Sequence, residues 1–181
     1  MSRLTVPTRA ASPAASQPLL DAVGRSLGVV PNLFRLVGLS TPALEGLLNL
    51  NGALNKALDA RTRERIAIAV AQVNGCDYCL SAHTYLALNV AKLDGAEVAL
   101  NRRGRSGDPK ADAAVAFAAK VAAERGRVSD GDLAAVKLAG WSEAQVVEIV
   151  AVVAANVYTN FINNVAQTEI DFPVVRVAEA A

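Results

Sequence analysis

The stretch that decides the fold runs from Arg63 to His83 and reads RERIAIAVAQVNGCDYCLSAH. Its first half carries apolar residues at helical spacing, which predicts a helix over 60–73. The buried stripe of this helix consists of Ile66, Ala69, Val70 and Val73. Asn74 and Gly75 then form a stop signal, and a second helix is predicted to begin at Cys76. A turn this short predicts that the two helices pack as an antiparallel pair.

The rest of the chain has the same helical character, because Ala and Leu dominate and alternating β-branched runs are absent. Ser129 with Asp132, and Ser142 with Gln145, have the spacing of capping boxes. Residues 1–17 lack apolar periodicity, so we expect an N-terminal arm that is mobile or lies on a neighbouring subunit. Residues 18–181 are predicted to form a single all-α domain. The predicted helices span about 18–27, 31–38, 41–58, 60–73, 76–93, a short segment from 94, 109–126, 129–140, and 142 to a point before Pro173.

Composition excludes several classes of function. Eighteen Lys and Arg against 17 Asp and Glu leave a net charge of +1, so no overall field attracts nucleic acid or anionic lipid. Charged residues make up 19% and hydrophobic ones 52%, against about 25% and 45–50% in an average soluble domain. We expect part of this apolar excess to be buried between copies of the chain in a homo-oligomer.

Two cysteines are too few for the disulfide framework of a small secreted domain. The N-terminal residues also lack the apolar core of a secretory signal. The most apolar stretches, 66–73 and 146–157, are shorter than the roughly 20 residues that cross a bilayer. These features predict a cytoplasmic protein without a membrane span.

The chemistry is concentrated around the C-x-x-C pair. Cys76 and Cys79 lie about one helical turn apart, close enough to form a disulfide, and a helix N-terminus favours the thiolate. His83, the only histidine, lies on the same face of the helix. Glu64 precedes Cys76 by 12 residues and reaches the level of His83 if the intervening turn is tight. Glu64 could then orient His83, and His83 could take the thiol proton.

With this pattern the chain resembles the AhpD-like alkylhydroperoxidases of the carboxymuconolactone decarboxylase superfamily. The matching pattern is E-x11-C-x-Y-C-x3-H, which begins at Glu64 and ends at His83. The resemblance is specific over about 44–92, and the ending NVYTNFINNVAQTEIDFP is similar to the "peroxidase-related" branch. It implies an all-helical AhpD-like bundle that assembles as a trimer or hexamer.

The resemblance also implies roles for the matched residues. Cys79, hydrogen-bonded to His83, would attack a small-molecule peroxide, Cys76 would form the disulfide, and Glu64 would anchor the proton relay. A dithiol reductant, such as a lipoyl-type carrier, would reduce the disulfide, and no cofactor or metal is implied. Tyr78 stands where some peroxidases of the family have a second histidine. In thioredoxin-like sites the cysteine at the helix start attacks instead, which here is Cys76.

Several alternatives remain open at this stage. The two cysteines, His83 and Glu64 could ligate zinc, although no second cysteine pair exists, or the cysteines could be inert core residues. His83 could act as a base on a lactone or another carbonyl compound, or the C-x-x-C could serve a non-catalytic redox sensor. Tyr78 either gates the site or packs. A polar stripe on the last predicted helix either faces the active cavity or forms hydrogen bonds across a subunit interface, and we expect the interface; it consists of Asn156, Asn160, Asn163 or Asn164, and Gln167. An arginine cluster either binds a phosphate or an acidic carrier or lies in a solvated loop, and we expect the loop; it consists of Arg102, Arg103 and Arg105.

Overall fold

Helices account for all the regular structure in the computed structural model, which describes residues 2–179 and has no strand within them. The helices are α1 (Gln17–Leu27), α2 (Asn32–Val37), α3 (Thr41–Leu54), α4 (Ala60–Val73), α5 (Asp77–Asn89), α6 (Gly95–Arg102), α7 (Pro109–Ala123), α8 (Asp130–Leu138) and α9 (Glu143–Ala166). The all-α prediction is confirmed.

Helix ends follow the sequence signals where a cap is present. Asp59 caps α4 by accepting a hydrogen bond from the Thr62 N–H at 3.0 Å, and both predicted capping boxes form, at Ser129 and Ser142. The prediction for α5 was four residues too long, because the chain turns at Lys92 in the left-handed region, with φ of 56°. The prediction for α3 was also too long. Leu58 packs into the core from the loop that follows α3.

Helix α4 lies at the centre of the domain. Residues 66–71 have at most 2% of their surface exposed, which fits a helix that is apolar on all sides. It packs against α5, α6, α7 and α9. Side chains of α4, α7 and α9 form the largest core, in which Ile66, Phe117 and Ile149 are buried. A central helix of this kind holds both ends of the Glu64–Cys76 stretch in fixed positions.

A buried ion pair joins α4 to α6. Arg65 Nε lies 2.7 Å from Glu97 Oε1, and both side chains are only 10% exposed. Asn101, Ser106 and the Gly107 N–H also donate hydrogen bonds to the Glu97 carboxylate. Burial opposes the ionised form, but these hydrogen bonds outweigh it and lower the pKa of Glu97 to about 2.

The described part of the N-terminal arm lies against its own chain. Arg9 forms an ion pair with Asp21 of α1, and the Ser16 hydroxyl is 2.7 Å from the Thr41 hydroxyl. Arg35 Nε donates to the Pro7 carbonyl at 2.8 Å. These contacts hold the arm along the side of α1–α3.

Helix α9 is the one helix within residues 2–179 that is long and apolar enough to cross a membrane, with 24 residues and a mean hydropathy of 1.5. This is weak evidence for a span, because core helices of soluble domains have the same length and composition. Ile149 and Val153 lie in the core, and Asn160 is fully buried. The chain has the build of a soluble domain.

Candidate active site

The turn between α4 and α5 sets the position of the two cysteines. Gly75 adopts a left-handed conformation with φ of 64°, which ends α4 and directs the chain into α5. Cys76 is the N-cap of α5, and its sulfur accepts a hydrogen bond from the Cys79 N–H at 3.2 Å. The two cysteines form a disulfide with their Cα atoms 5.3 Å apart. Only 0% of Cys76 and 3% of Cys79 is exposed, so the disulfide is enclosed by protein.

The structure brings Glu64 and His83 together across the α4–α5 pair. Glu64 Oε2 lies 2.8 Å from His83 Nδ1, and about a fifth of each side chain is exposed. The tight turn and the antiparallel packing produce this contact. His83 follows Cys79 by one helical turn. The arrangement can hold the imidazole in one orientation beside the cysteine pair.

The Cys79 sulfur receives a hydrogen bond from the α9 asparagine stripe, for which the sequence favoured a subunit interface over the active cavity. Asn163 Nδ2 on α9 lies 3.3 Å from Cys79 Sγ. In the described part of the chain no hydrogen bond joins Cys79 to His83, so the relay between these two residues stays a prediction.

Three asparagines of α9 turn inward, which agrees with the alternative of an active cavity and not with the favoured subunit interface. Asn160 and Asn163 are 0% and 2% exposed. Asn160 accepts a hydrogen bond from Asn74 at 2.9 Å, and Asn164 donates to the Asn74 carbonyl at 2.9 Å. Asn160 and Asn164 therefore fix the α4–α5 turn, and Asn163 reaches the sulfur. Asn156 instead donates to the Val152 carbonyl of its own helix. The signal for this was the polar spacing within a valine-rich helix.

Tyr78, which lies between the two cysteines in the sequence, packs in the protein interior. It is 4% exposed, its hydroxyl accepts a hydrogen bond from the Leu33 N–H at 3.1 Å, and its ring meets Phe172 edge-on at 5.9 Å. Burial raises the pKa of Tyr78 above its usual range. The side chain therefore stays neutral and anchors α2 and the C-terminal residues to α5.

A C-terminal segment, defined here as residues 170–177, lies along α5. Its apolar side chains pack against the cluster that contains both cysteines; they are Ile170, Phe172, Val175 and Val177. The Ser81 hydroxyl accepts a hydrogen bond from the Val175 N–H at 2.9 Å and lies 3.2 Å from the Val175 carbonyl. This segment covers part of the buried cluster that contains the disulfide.

Asp77 ties the same segment to the start of α5. Its carboxylate accepts hydrogen bonds from the Val177 N–H at 2.8 Å and from Arg176 at 2.9 Å. Burial opposes ionisation, but these two hydrogen bonds outweigh it and lower the pKa of Asp77. The contact is therefore fully formed at neutral pH.

A cleft of about 430 Å³ opens beside Tyr78, next to the disulfide. Its walls come from the α4–α5 turn, the end of α9 and the residues that follow α9. Asn163 and Thr168 contribute polar side chains, and Ile170 and Val174 contribute apolar ones. Asp77, Glu169 and Arg176 add charged side chains, so most of the lining is polar and the apolar part is confined to Ile170 and Val174.

The arginine cluster has partners within the chain. Arg102 donates to Gln72 at 3.0 Å and to the Arg176 carbonyl at 2.7 Å, which supports the C-terminal segment. Arg105 pairs with Asp112 in the solvated loop after α6. Within the described residues, no group of three His, Cys, Asp or Glu side chains is arranged to hold a metal ion.

Comparison with known proteins gives one family match. Residues 42–120 match the carboxymuconolactone decarboxylase family. No curated protein matches the chain.

Solved structures match over nearly the whole chain. An uncharacterized peroxidase-related protein with an alkylhydroperoxidase AhpD core, from Ralstonia eutropha JMP134, is 24% identical, with a TM-score of 0.83 over 94% of this chain and 92% of that one. An uncharacterized peroxidase-related protein from Silicibacter sp. TM1040 is 21% identical, with a TM-score of 0.79 over 93% and 91%. A variant of the debrominase Bmp8 in complex with 2,3,4-tribromopyrrole is 19% identical, with a TM-score of 0.79 over 94% of each chain.

Proposed function

We propose that the chain, whose residues 42–120 match the carboxymuconolactone decarboxylase family and whose fold matches that of a protein with an AhpD core, is a thiol-dependent peroxidase, or a disulfide reductase with the same dithiol. The observation that carries this proposal is the Cys76–Cys79 disulfide at the start of α5, one turn from the Glu64–His83 pair. Reduction of a peroxide needs a dithiol that supplies two electrons and a nearby group that transfers protons, and these two pairs provide both.

In the proposed cycle the Cys79 thiolate attacks the terminal oxygen of a hydroperoxide. The O–O bond breaks, an S–O bond forms, and the leaving alkoxide takes a proton and departs as an alcohol. His83, oriented by Glu64 at 2.8 Å, moves the proton between thiol and leaving group. The Cys76 thiol then displaces water from the Cys79 sulfenic acid, and the disulfide forms.

The cycle closes when an external dithiol reduces the disulfide by thiol–disulfide exchange and is itself oxidised. A lipoyl-type carrier is the class of reductant proposed here. A reducing compartment such as the cytoplasm maintains this kind of donor. The buried disulfide requires that the reductant act through a local opening of the site.

Thiol titration and intact mass, measured before and after one equivalent of an organic hydroperoxide, test the proposal. Reduced protein should lose two thiols and about two mass units, and a dithiol should reverse both changes. Cys79→Ser should abolish peroxide consumption, whereas Cys76→Ser should accumulate a sulfenic acid. The opposite pattern would reverse the roles of the two cysteines and assign attack to Cys76.

Activity on a lactone that survives replacement of both cysteines would replace this proposal with carbonyl chemistry at His83. Assembly that changes with the redox state, without turnover of any peroxide, would indicate a redox sensor. Two thiols that stay reduced in the presence of peroxide would exclude the peroxidase. Zinc titration of that protein would then test the metal alternative.

A second candidate is reductive dehalogenation, which the likeness to the debrominase Bmp8 favours. The same dithiol could replace a carbon–bromine bond with carbon–hydrogen, releasing bromide and forming the Cys76–Cys79 disulfide. Mixing reduced protein with 2,3,4-tribromopyrrole and measuring bromide release separates the two candidates. Bromide release without peroxide reactivity would favour dehalogenation.

We also propose that the protein is a homo-oligomer, a trimer or a hexamer. Helix α9 leaves an exposed apolar face, made of Val147, Val150, Tyr158, Phe161 and Val165, with exposed fractions of 36–68%. Spacings of three and four residues line up much of this face along one side of the helix. Contact between copies along this face would account for the apolar excess of the composition.

A further inference from the structure

Asn163 is a buried polar side chain in contact with the Cys79 sulfur. It lies on α9 with 2% exposure, and its Nδ2 donates to Cys79 Sγ at 3.3 Å. The backbone N–H of Cys79 donates to the sulfur of Cys76, so it does not donate to the sulfur of Cys79. Asn163 is therefore the hydrogen-bond donor to the Cys79 sulfur within residues 2–179.

The other end of the same amide has no partner. Asn163 Oδ1 is buried and accepts no hydrogen bond from any described residue, and the same holds for the hydroxyl of Thr168. Both residues line the 430 Å³ cleft beside Tyr78. A buried acceptor without a donor is costly, so a native protein keeps one where a ligand or another function satisfies it.

These two observations point to one role. We propose that Asn163 is the positioning residue for the thiol–peroxide reaction: its N–H stabilises the Cys79 thiolate, and its free carbonyl accepts the O–H of the incoming hydroperoxide. The inference rests on the proposed peroxidase function. It assigns the 430 Å³ cleft to an organic hydroperoxide, whose apolar body lies along Ile170 and Val174.

The geometry explains why one amide can serve both partners. The terminal oxygen of the hydroperoxide carries the O–H, and this oxygen is also the atom that the thiolate attacks. Asn163 donates to the sulfur through Nδ2 and accepts the hydroperoxide O–H through Oδ1. It therefore holds the sulfur and the terminal peroxide oxygen side by side. Asn163 transfers no proton and no electron; the sulfur is oxidised, the peroxide is reduced, and the proton for the alcohol comes through His83.

The test compares Asn163→Leu and Asn163→Asp with a matched control. Asn163→Asp keeps the shape but replaces the N–H donor with a carboxylate, so it tests the donor role even where Asn163→Leu folds poorly. Asn156→Leu is the control, because Asn156 is 9% exposed on the same helix and donates only to the Val152 carbonyl of its own helix. Each protein is fully reduced before the measurement.

Two reagents separate the two halves of the role. Iodoacetamide reacts with the thiolate and needs no hydroxyl acceptor, whereas cumene hydroperoxide needs both. Both Asn163 variants should slow alkylation about 10- to 100-fold at neutral pH, the range expected for a hydrogen bond to a charged group, and should recover at high pH. At the high pH at which its alkylation rate has recovered, Asn163→Leu should still react more slowly with cumene hydroperoxide than the wild type does. Asn156→Leu should match the wild type with both reagents.

The outcomes distinguish this inference from the proposed function. If the wild type consumes cumene hydroperoxide and both Asn163 variants match it at every pH, the role of Asn163 is refuted while the peroxidase stands. If the wild type does not react with hydroperoxide, the peroxidase proposal fails and the acceptor role fails with it. Slower alkylation in the variants would in that case still support the donor role toward Cys79.

Discussion

Removing the Ser81 hydroxyl should open the path to the disulfide. Ser81 is fully buried on α5, and its oxygen accepts the Val175 N–H at 2.9 Å, which holds the C-terminal segment against the cluster that contains the cysteines. Ser81→Ala leaves that N–H without its partner. The same hydroxyl also lies 2.8 Å from the Asp77 carbonyl within its own helix, so the loss to the segment is one full hydrogen bond and part of another.

The magnitude follows from the burial of these groups. A fully buried donor that loses its acceptor costs about 1–3 kcal/mol; the Ser81–Val175 hydrogen bond is only partly buried, so a value near about 1 kcal/mol applies and raises the open population of the segment about fivefold. Because 0–3% of either cysteine is exposed, a reductant must wait for that opening. When opening and closing are faster than reduction, the observed rate rises in proportion to the open population.

The assay is reduction of the oxidised protein by excess dithiothreitol, quenched by alkylation and followed by mass. Thr159→Ala is the matched control, since the Thr159 hydroxyl bonds only to carbonyls of its own helix, at 3.0 Å for Asn156. Urea unfolding of both variants corrects for global stability. Reduction of Ser81→Ala at the wild-type rate would refute the reasoning and move the entrance to the side of Glu64 and His83.

Three further predictions follow from the ion pairs and the exposed face. Glu64→Gln removes the carboxylate that orients His83; peroxide turnover, measured as alcohol formed, should fall about 100-fold. Thiol alkylation at neutral pH should also slow, because His83 takes the thiol proton, and it should recover at high pH. The pKa of Glu97 is lowered from 4.5 to about 2 on folding, so its stabilisation is complete above pH 4.5 and is lost as the pH falls toward 2. Glu97→Gln should therefore lower the free energy of unfolding by about 3 kcal/mol at pH 7 in urea titrations, with a much smaller loss near pH 2. Val150→Asp should reduce the mass of the oligomer measured by light scattering. Leu138→Asp should not, although Leu138 of α8 is more exposed than Val150. A Val150→Asp protein with the wild-type mass would exclude the α9 face as the subunit contact.

Much of the local structure could be predicted from the sequence. The bounds of α4 were predicted correctly because the apolar run ends at the Asn74-Gly75 stop signal, although Val73, which was assigned to the buried stripe, is 42% exposed. The end of α5 was predicted wrongly, because the left-handed turn that follows it is at Lys92 and not at a glycine. The Glu64–His83 contact depended on a tight turn, and the short connection provides one.

The sequence by itself determined the helices, their caps, the adjacent cysteines and the spacing that brings Glu64 to His83, since all of these depend on residues within about two helical turns or across one short loop. Only the tertiary structure decided what surrounds the sulfur. Asn163 lies 84 residues from Cys79, and Val175 lies 94 residues from Ser81. Periodicity indicates which face of a helix is buried but not which residues it meets. The contacts that enclose the disulfide therefore exist only once α9 and the C-terminal segment have packed onto the central helix pair.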